Sequence, residues 1–212
     1  MAAKKRTRVR PTKHRAYHHG DLRRALLDAA RVELHLGSVQ QLSLRGVARR
    51  AGVTHTAAYH HFADKDALMR RLEQEGFEKL DASMVREMAD VKDPVDRLVA
   101  AGVGYLRFAA DDPQALRLMF DGDKVVHEDD EPLSTAARRA FTRLVEATAA
   151  ARGSRGLSGD PLPDAIMQWS AVHGFATLSR GKRLEFAGIT DETELGRAML
   201  ERLETSLYRR TP

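Results

Sequence analysis

Between Ser43 and Phe62 the chain signals a helix start twice and a stop between them, leaving room for little except two short helices meeting at a turn. Ser43 is a good N-cap ahead of Leu44, Val47, Ala48 and Ala51. Gly52 follows at once, where a residue in the left-handed region ends a helix. Thr54 is a second cap, and the segment from it to Phe62 reads as the second helix. Ala48 is small where the two helices cross, and Val47, Ala51, Val53, Ala58 and Phe62 are expected on the buried side. Two short helices around a glycine make a helix-turn-helix.

The rest of the chain reads as helix throughout. Leu22, Ala25, Leu26, Ala29 and Ala30 form one apolar stripe from Asp21 onward, with Gly37 as its stop. Asp64 caps a long pattern over 65–88 carrying Leu68, Leu72 and Leu80. Asp93-Pro94 and Asp112-Pro113 each put a capping acid before a proline in the first helical turn, predicting helices over 94–110 and 113–120. A loop over 121–131 precedes a helix over 132–152, and a loop over 153–160 precedes helices over 163–180 and 191–209. No stretch alternates with period two, so the expected fold class is all-α: an N-terminal three-helix domain followed by a helical C-terminal domain.

Charge divides the chain in the same place. Residues 1–75 hold 16 Lys/Arg against 7 Asp/Glu, a net of +9, whereas residues 76–212 hold 19 against 23, a net of −4. Seven cations and no acid lie in residues 1–17, a basic tail expected to be disordered when free. That asymmetry is the electrostatic footprint of a nucleic-acid binder. Without cysteine there are no disulfides, thiolate metal sites or cysteine nucleophiles. No apolar run approaches the roughly 18 residues of a membrane span, and the basic start lacks the apolar stretch of a secretory signal. The expected localisation is cytoplasmic, with no membrane partner. A nucleophile elbow, a phosphate loop and converging metal ligands are all missing, so no enzyme activity and no cofactor are expected.

The run LSLRGVARRAGVTHTAAYHHFADKDAL, Leu42 to Leu68, resembles the DNA-binding domain of the TetR family of transcriptional regulators. The likeness lies in Ala51-Gly52-Val53, in Tyr59 to Phe62, and in Lys65 with Leu68 behind it. Thr56, Ala57 and Ala58, and His55 in place of a frequent Lys or Arg, depart from the family pattern in the reading helix and leave the base preference open. The body resembles the branch with a Trp-x-x-Val-His-Gly (WHG) motif, here Trp169, Val172, His173 and Gly174. Asp112-Pro113 through Arg117-Leu118-Met119-Phe120 is similar to that branch as well.

In a helix-turn-helix the second helix enters the major groove. His55 and Thr56 are therefore candidate base contacts, and Arg45 has the fork that suits guanine or, alternatively, phosphate. The resemblance implies DNA contacts for Tyr59 and Lys65, the latter to phosphate. Ser43 and Thr54 are candidates for phosphate contact at helix starts, His60 is a candidate DNA contact, and His61 beside Phe62 reads as either a packing or a phosphate-contact residue. Adjacent histidines do not share a helix face, and His14 with His18 lies in or beside the tail, so no metal site is expected. In the body, Phe77, Met84, Phe108, Met119, Phe120, Met167, Trp169 and His173 are candidates to line an apolar effector pocket, although each singly reads as core. Met88 and Phe175 are similar candidates. Leu195, Met199, Leu203 and Leu207 recur every four residues on the last helix, a stripe expected to pair with a second copy.

Three regions follow: a basic tail over 1–17, a DNA-binding domain over 18–66, and an effector-binding and dimerisation domain over 67–212. The resemblance implies a repressor that binds a palindromic double-stranded DNA operator as a homodimer and is released by a small molecule. The alternative is a dimeric DNA-binding protein without an effector.

Overall fold

The computed structural model describes residues 19–37, 39–120, 130–180, 184, 188 and 191–208. The basic tail over 1–17, His14 and His18 lie outside them, as does most of the 121–131 loop. The described residues are all-α, and they divide into two units, Met1–Ala63 and Asp64–Pro212.

The first unit holds α1 (His19–Leu36), α2 (Leu44–Arg50) and α3 (His55–Tyr59). The caps fall where the sequence puts them: Ser43 Oγ accepts from the Gly46 N–H at 3.1 Å, and Thr54 Oγ1 from the Ala57 N–H at 3.2 Å. Gly52, at φ 72, carries the turn between α2 and α3. Leu26, Ala30, Val47, Ala48, Ala58 and Phe62 form the small core. Two expectations shift. The second short helix ends at Tyr59 rather than Phe62, because the His61 and Phe62 N–H groups both fold back onto the Ala58 carbonyl. Ala51 and Val53 are only half-buried, since one is the C-cap of α2 and the other stands in the turn.

The second unit begins with α4 (Lys65–Met88), capped by Asp64 Oδ1 at 2.6 Å from the Ala67 N–H. There follow α5 (Pro94–Asp111), α6 (Pro113–Phe120), α7 (Glu131–Ser154), α8 (Leu162–Ser179) and α9 (Glu192–Tyr208). Asp93 accepts from the Val95 and Asp96 N–H groups and opens α5; Asp112 closes α5 and opens α6 by accepting from Ala115. Proline in the first turn has no N–H to leave unsatisfied, so each acid-proline pair starts its helix with one fewer orphan donor.

Packing is set where helices approach to backbone distance. A Cβ on Gly104 of α5 would stand 2.7–2.9 Å from backbone atoms of Ser83 and Met84 on α4. At Gly102 the same atom would meet Leu200 of α9 at 2.6 Å, and at Gly196 of α9 it would meet Leu106 of α5 at 2.5 Å. Around these crossings sits one core containing Phe77, Leu80, Met84, Leu98, Val103, Phe108, Leu116, Leu133 and Val172. Ion pairs tie α4 to its neighbours: Lys79 to Asp112, Glu87 to Arg107, Arg70 to Asp130, and Asp81 to both Arg139 and Arg143.

On α9 the column buried within the chain lies beside the stripe expected to pair with a second copy. The buried column is Gly196, Leu200, Glu204 and Tyr208, while Leu195 is exposed and Met199, Leu203 and Leu207 lie half-buried beside it. Leu200 faces α5 because Gly102 leaves it room.

The crossing at Gly104 gives a direct test. Gly104→Ala pushes a methyl into α4 backbone that cannot rotate away and should cost about 1–3 kcal/mol, read by chemical denaturation. Gly153→Ala on α7 meets nothing within 4 Å and should be neutral or stabilising by about 0.5–1 kcal/mol. Equal effects of the two changes would mean that the α4–α5 approach is not close.

Candidate DNA-binding and effector sites

In the first unit α3 is anchored through Ala58, a residue with no exposed surface, while His55, Thr56, Tyr59 and His60 stand exposed. A tyrosine ring 48% exposed on a five-residue helix is a large apolar area left to solvent next to a hydroxyl and an imidazole. His61 is half-buried. Arg45 is exposed on the first turn of α2, with Arg49 and Arg50 exposed at its end. Arg50 Nε bonds Glu33 of α1 at 2.6 Å, and the Arg23 guanidinium lies 5.3 Å over the Phe62 ring. Those contacts fix two of the cations to the scaffold. Ser43 and Thr54 are exposed, and their oxygens already serve as caps, which leaves each hydroxyl proton as the group that can reach outward. Lys65 belongs to the second unit, half-buried at the first position of α4.

In the second unit a continuous aromatic cluster crosses from α4 to α8. The Phe77 ring lies 5.7 Å edge-on from Phe120, whose ring is 5.9 Å from Trp169 and 4.9 Å from His173. Trp169 in turn lies 5.7 Å from Phe141 of α7. Met119 of α6 packs instead on Gly76 of α4, its sulfur pressed to where a Cβ of that glycine would stand. The polar end is a Tyr105 Oη to His173 Nδ1 hydrogen bond of 2.7 Å. Burial pushes the Tyr105 phenol well above its ordinary value, outweighing a hydrogen bond with Trp169 and the Arg180 charge, which act the other way. A neutral phenol donating to Nδ1 leaves the neutral imidazole proton on Nε2, whereas an imidazolium would donate to the phenol oxygen.

Four of the expected pocket residues thus meet: Phe77, Phe120, Trp169 and His173. Met84 and Phe108 are buried in the core, with Met84 at the α4–α5 crossing. Met88 is core too, and Phe175 packs on Gly196 of α9. Met167 is a correction: it is 46% exposed. Two positions round the helix from Trp169, at 3.6 residues per turn, it faces the opposite side of α8. Sequence reasoning passed over Tyr105 and Phe141. The signal for Tyr105 was a hydroxyl inside the otherwise apolar run of α5, which needs a partner when buried. Among the described residues no group of three or more potential metal ligands gathers, and no helix is long and apolar enough to cross a membrane.

Residues 98–203, half of the chain, match the family described as tetracyclin repressor-like, C-terminal domain, and residues 26–72 match the bacterial regulatory proteins of the tetR family. The chain belongs to the TetR family of bacterial regulatory proteins. It is therefore a DNA-binding regulator in fold and domain make-up. Among solved structures, a protein of unknown function from Rhodococcus sp. RHA1 is 29% identical with a TM-score of 0.80, covering 92% of this chain and 100% of that one. The TetR-family regulator PfmR from Thermus thermophilus is 18% identical with a TM-score of 0.68, covering 88% and 100%. FadR from Bacillus subtilis, solved in complex with stearoyl-CoA, is 16% identical with a TM-score of 0.69, covering 86% and 97%. At those last two identities the likeness is one of fold. No curated protein matches the chain.

The Tyr105–His173 bond makes a prediction independent of any ligand. Tyr105→Phe leaves a half-buried Nδ1 without this partner and should cost about 1–3 kcal/mol in denaturant unfolding. A stability equal to that of the unaltered protein would show that the bond contributes nothing to the fold.

Proposed function

We propose that this TetR-family chain is a cytoplasmic homodimeric repressor of the Trp-x-x-Val-His-Gly branch, which reads a palindromic operator and lets go of it when a small molecule enters the body. The observation that carries the DNA-binding half is α3: Ala58 seats it, and His55, Thr56 and Tyr59 remain outside. His55 and Thr56 read base edges, Arg45 reads guanine, and Tyr59, His60, His61, Ser43, Thr54 and Lys65 hold phosphates. The basic tail adds counter-ion release in this reading. The first 66 residues carry these contacts, and residues 67–212 carry the dimer face and the effector site.

The dimer half rests on α8. Asp164 is the only charged residue among its eighteen, so the helix is apolar around its circumference. Its inner side, Ala165, Gln168, Val172 and Ala176, is buried. Ile166, Met167 and Leu178 stand exposed, and a Cβ on Gly174 would meet nothing within 4 Å. A helix apolar all round is covered on every side in an aqueous protein. A second α8, flanked by the half-buried leucines of α9, supplies that cover as a four-helix bundle. Two-fold symmetry then calls for two operator half-sites.

The effector half rests on the aromatic cluster. Phe120, Trp169 and His173 are half-buried rather than sealed, and they stack on Phe77 of α4 and Phe141 of α7. A ligand wedged there bears on four helices at once. It releases DNA to the extent that it binds the released conformation more tightly.

Two experiments test the reading. On a consensus operator selected from random DNA, Arg45→Ala and Thr56→Val should each cost about 1–3 kcal/mol and leave random-DNA binding nearly unchanged, whereas Lys65→Ala weakens both and lowers the salt slope by about one. Equal losses on both DNAs for all three variants would remove base reading from these residues. Met167→Asp with Leu178→Asp changes only exposed side chains and should convert a sedimenting dimer into a folded monomer. A double variant that stays dimeric places the interface elsewhere.

A further inference from the structure

Where α9 packs on α5 and α8, a carboxylic acid is shut inside the body. Glu204 of α9 is 2% exposed, and its Oε2 is buried with no hydrogen-bond partner among the described residues. A carboxylate in that position needs a cation or several donors, because burying an unpaired charge is far more costly than burying a neutral acid. The cation nearest this corner is already paired: Arg152 of α7 bonds Asp164 of α8 and gives its other guanidinium arm to the Ser158 carbonyl at 2.7 Å, while its buried Nε has no partner among the described residues. Asp164 repels a second negative charge. Gln168 of α8 is occupied as well: its amide donates to the Tyr208 hydroxyl at 3.0 Å, and its carbonyl takes the Thr148 hydroxyl at 3.3 Å. On the α5 side the contacts Leu106–Gly196 and Gly102–Leu200 step by four residues in opposite directions, which brings the buried, apolar Leu98 opposite Glu204. Glu201 and Arg202, its neighbours on α9, are exposed.

We infer that Glu204 is a proton-held latch: its neutral carboxyl seats α9 against α5 and α8, and loss of the proton loosens that seat. Burial, aided by the Asp164 charge, pushes the Glu204 carboxyl up to about 8. Burial likewise pushes Tyr208 up to about 12, with the Glu204 and Asp164 charges adding, so the phenol next to it stays neutral across the same range. The folded-state value lies above that of the unfolded chain. The latch is therefore fully set below the ordinary glutamate range, and stability falls as pH rises until the carboxyl has ionised near 8. The consequence for assembly rests on the dimer reading given above: α9 flanks the proposed α8 face, so a loosened α9 weakens the dimer in the alkaline direction.

The test follows the full-length protein from pH 6 to pH 9. The folding equilibrium constant should drop by up to about tenfold per pH unit until the carboxyl ionises. Glu204→Gln should lose that dependence while remaining folded at pH 9. Infrared difference spectra should show a protonated carboxyl band that disappears with a midpoint near 8 and is absent from Glu204→Gln. Asp164→Asn removes the like charge and frees Arg152, and should move that midpoint to lower pH. Parallel pH profiles for the unaltered protein and Glu204→Gln, or no protonated carboxyl band at pH 6, overturn the latch; if the Gln variant fails to fold, the band and its response to Asp164→Asn decide. Sedimentation separates the two readings. A monomer at pH 6 sinks the dimer alone, whereas a dimer lost towards pH 9 only when Glu204 is present supports the latch.

Discussion

At Gly104 the backbone of α5 lies against the backbone of α4, with no room for a methyl group between them. The arrangement of the second unit follows from that crossing. Once α4 and α5 touch at Gly104, Leu80, Met84, Val103 and Phe108 close over each other as the centre of the core. The reverse face of α5 offers Gly102 to Leu200, and α9 returns the gesture with Gly196 to Leu106, so the last helix is set by the same device. Ion pairs then hold α4 to α5, α6 and α7. Most of these are partly exposed and contribute little singly. Asp81 differs, being buried between Arg139 and Arg143, where removal of either charge sign would leave the other uncompensated.

The four marked positions of α8 illustrate how one helix serves several layers. Val172 goes into the core, Trp169 and His173 go into the aromatic cluster, and Gly174 faces open space beside exposed Ile166, Met167 and Leu178. At 3.6 residues per turn, the spacing of Trp169 and His173 puts them on one side, while Gly174 is turned about 100° further. The cluster is continuous with α4 through Phe77 and with α7 through Phe141. A change in its packing therefore has a mechanical route to the helix that opens the second unit.

What could be read along the chain were features whose cause is local. Ser43, Thr54, Asp64, Asp93 and Asp112 all cap the helices they precede, because a short polar side chain needs only the next turn of its own backbone. Met167 was misplaced for the opposite reason: methionine suits a core, a pocket or an interface equally, and only the rotation of α8 about its axis chooses among them. The core side of α9 shows the same limit. Leu195, Met199, Leu203 and Leu207 make the better apolar column, yet Gly102 on α5 draws in Leu200 and with it Glu204 and Tyr208. A glutamate four residues from a leucine looks like a solvated neighbour until the partner helices are in place. Phe141 and Tyr105 were passed over because nothing near them in sequence reveals that Trp169 and His173 are their partners.

The sequence by itself determined the helices and most of their starts, the helix-turn-helix, and the family to which it points. All of these depend on contacts within a few residues or on a charge pattern that survives any arrangement of the chain. Only the tertiary structure decided which face of α8 and α9 is core, that Phe77, Phe120 and Trp169 meet beside the Tyr105–His173 pair, and that the Glu204 Oε2 is closed away without a partner among the described residues. Helix periodicity fixes which residues share a side, but the direction in which that side points is set by where helices can approach closely: here Gly104 lets two backbones touch, and Gly102 and Gly196 make room for side chains of the facing helix.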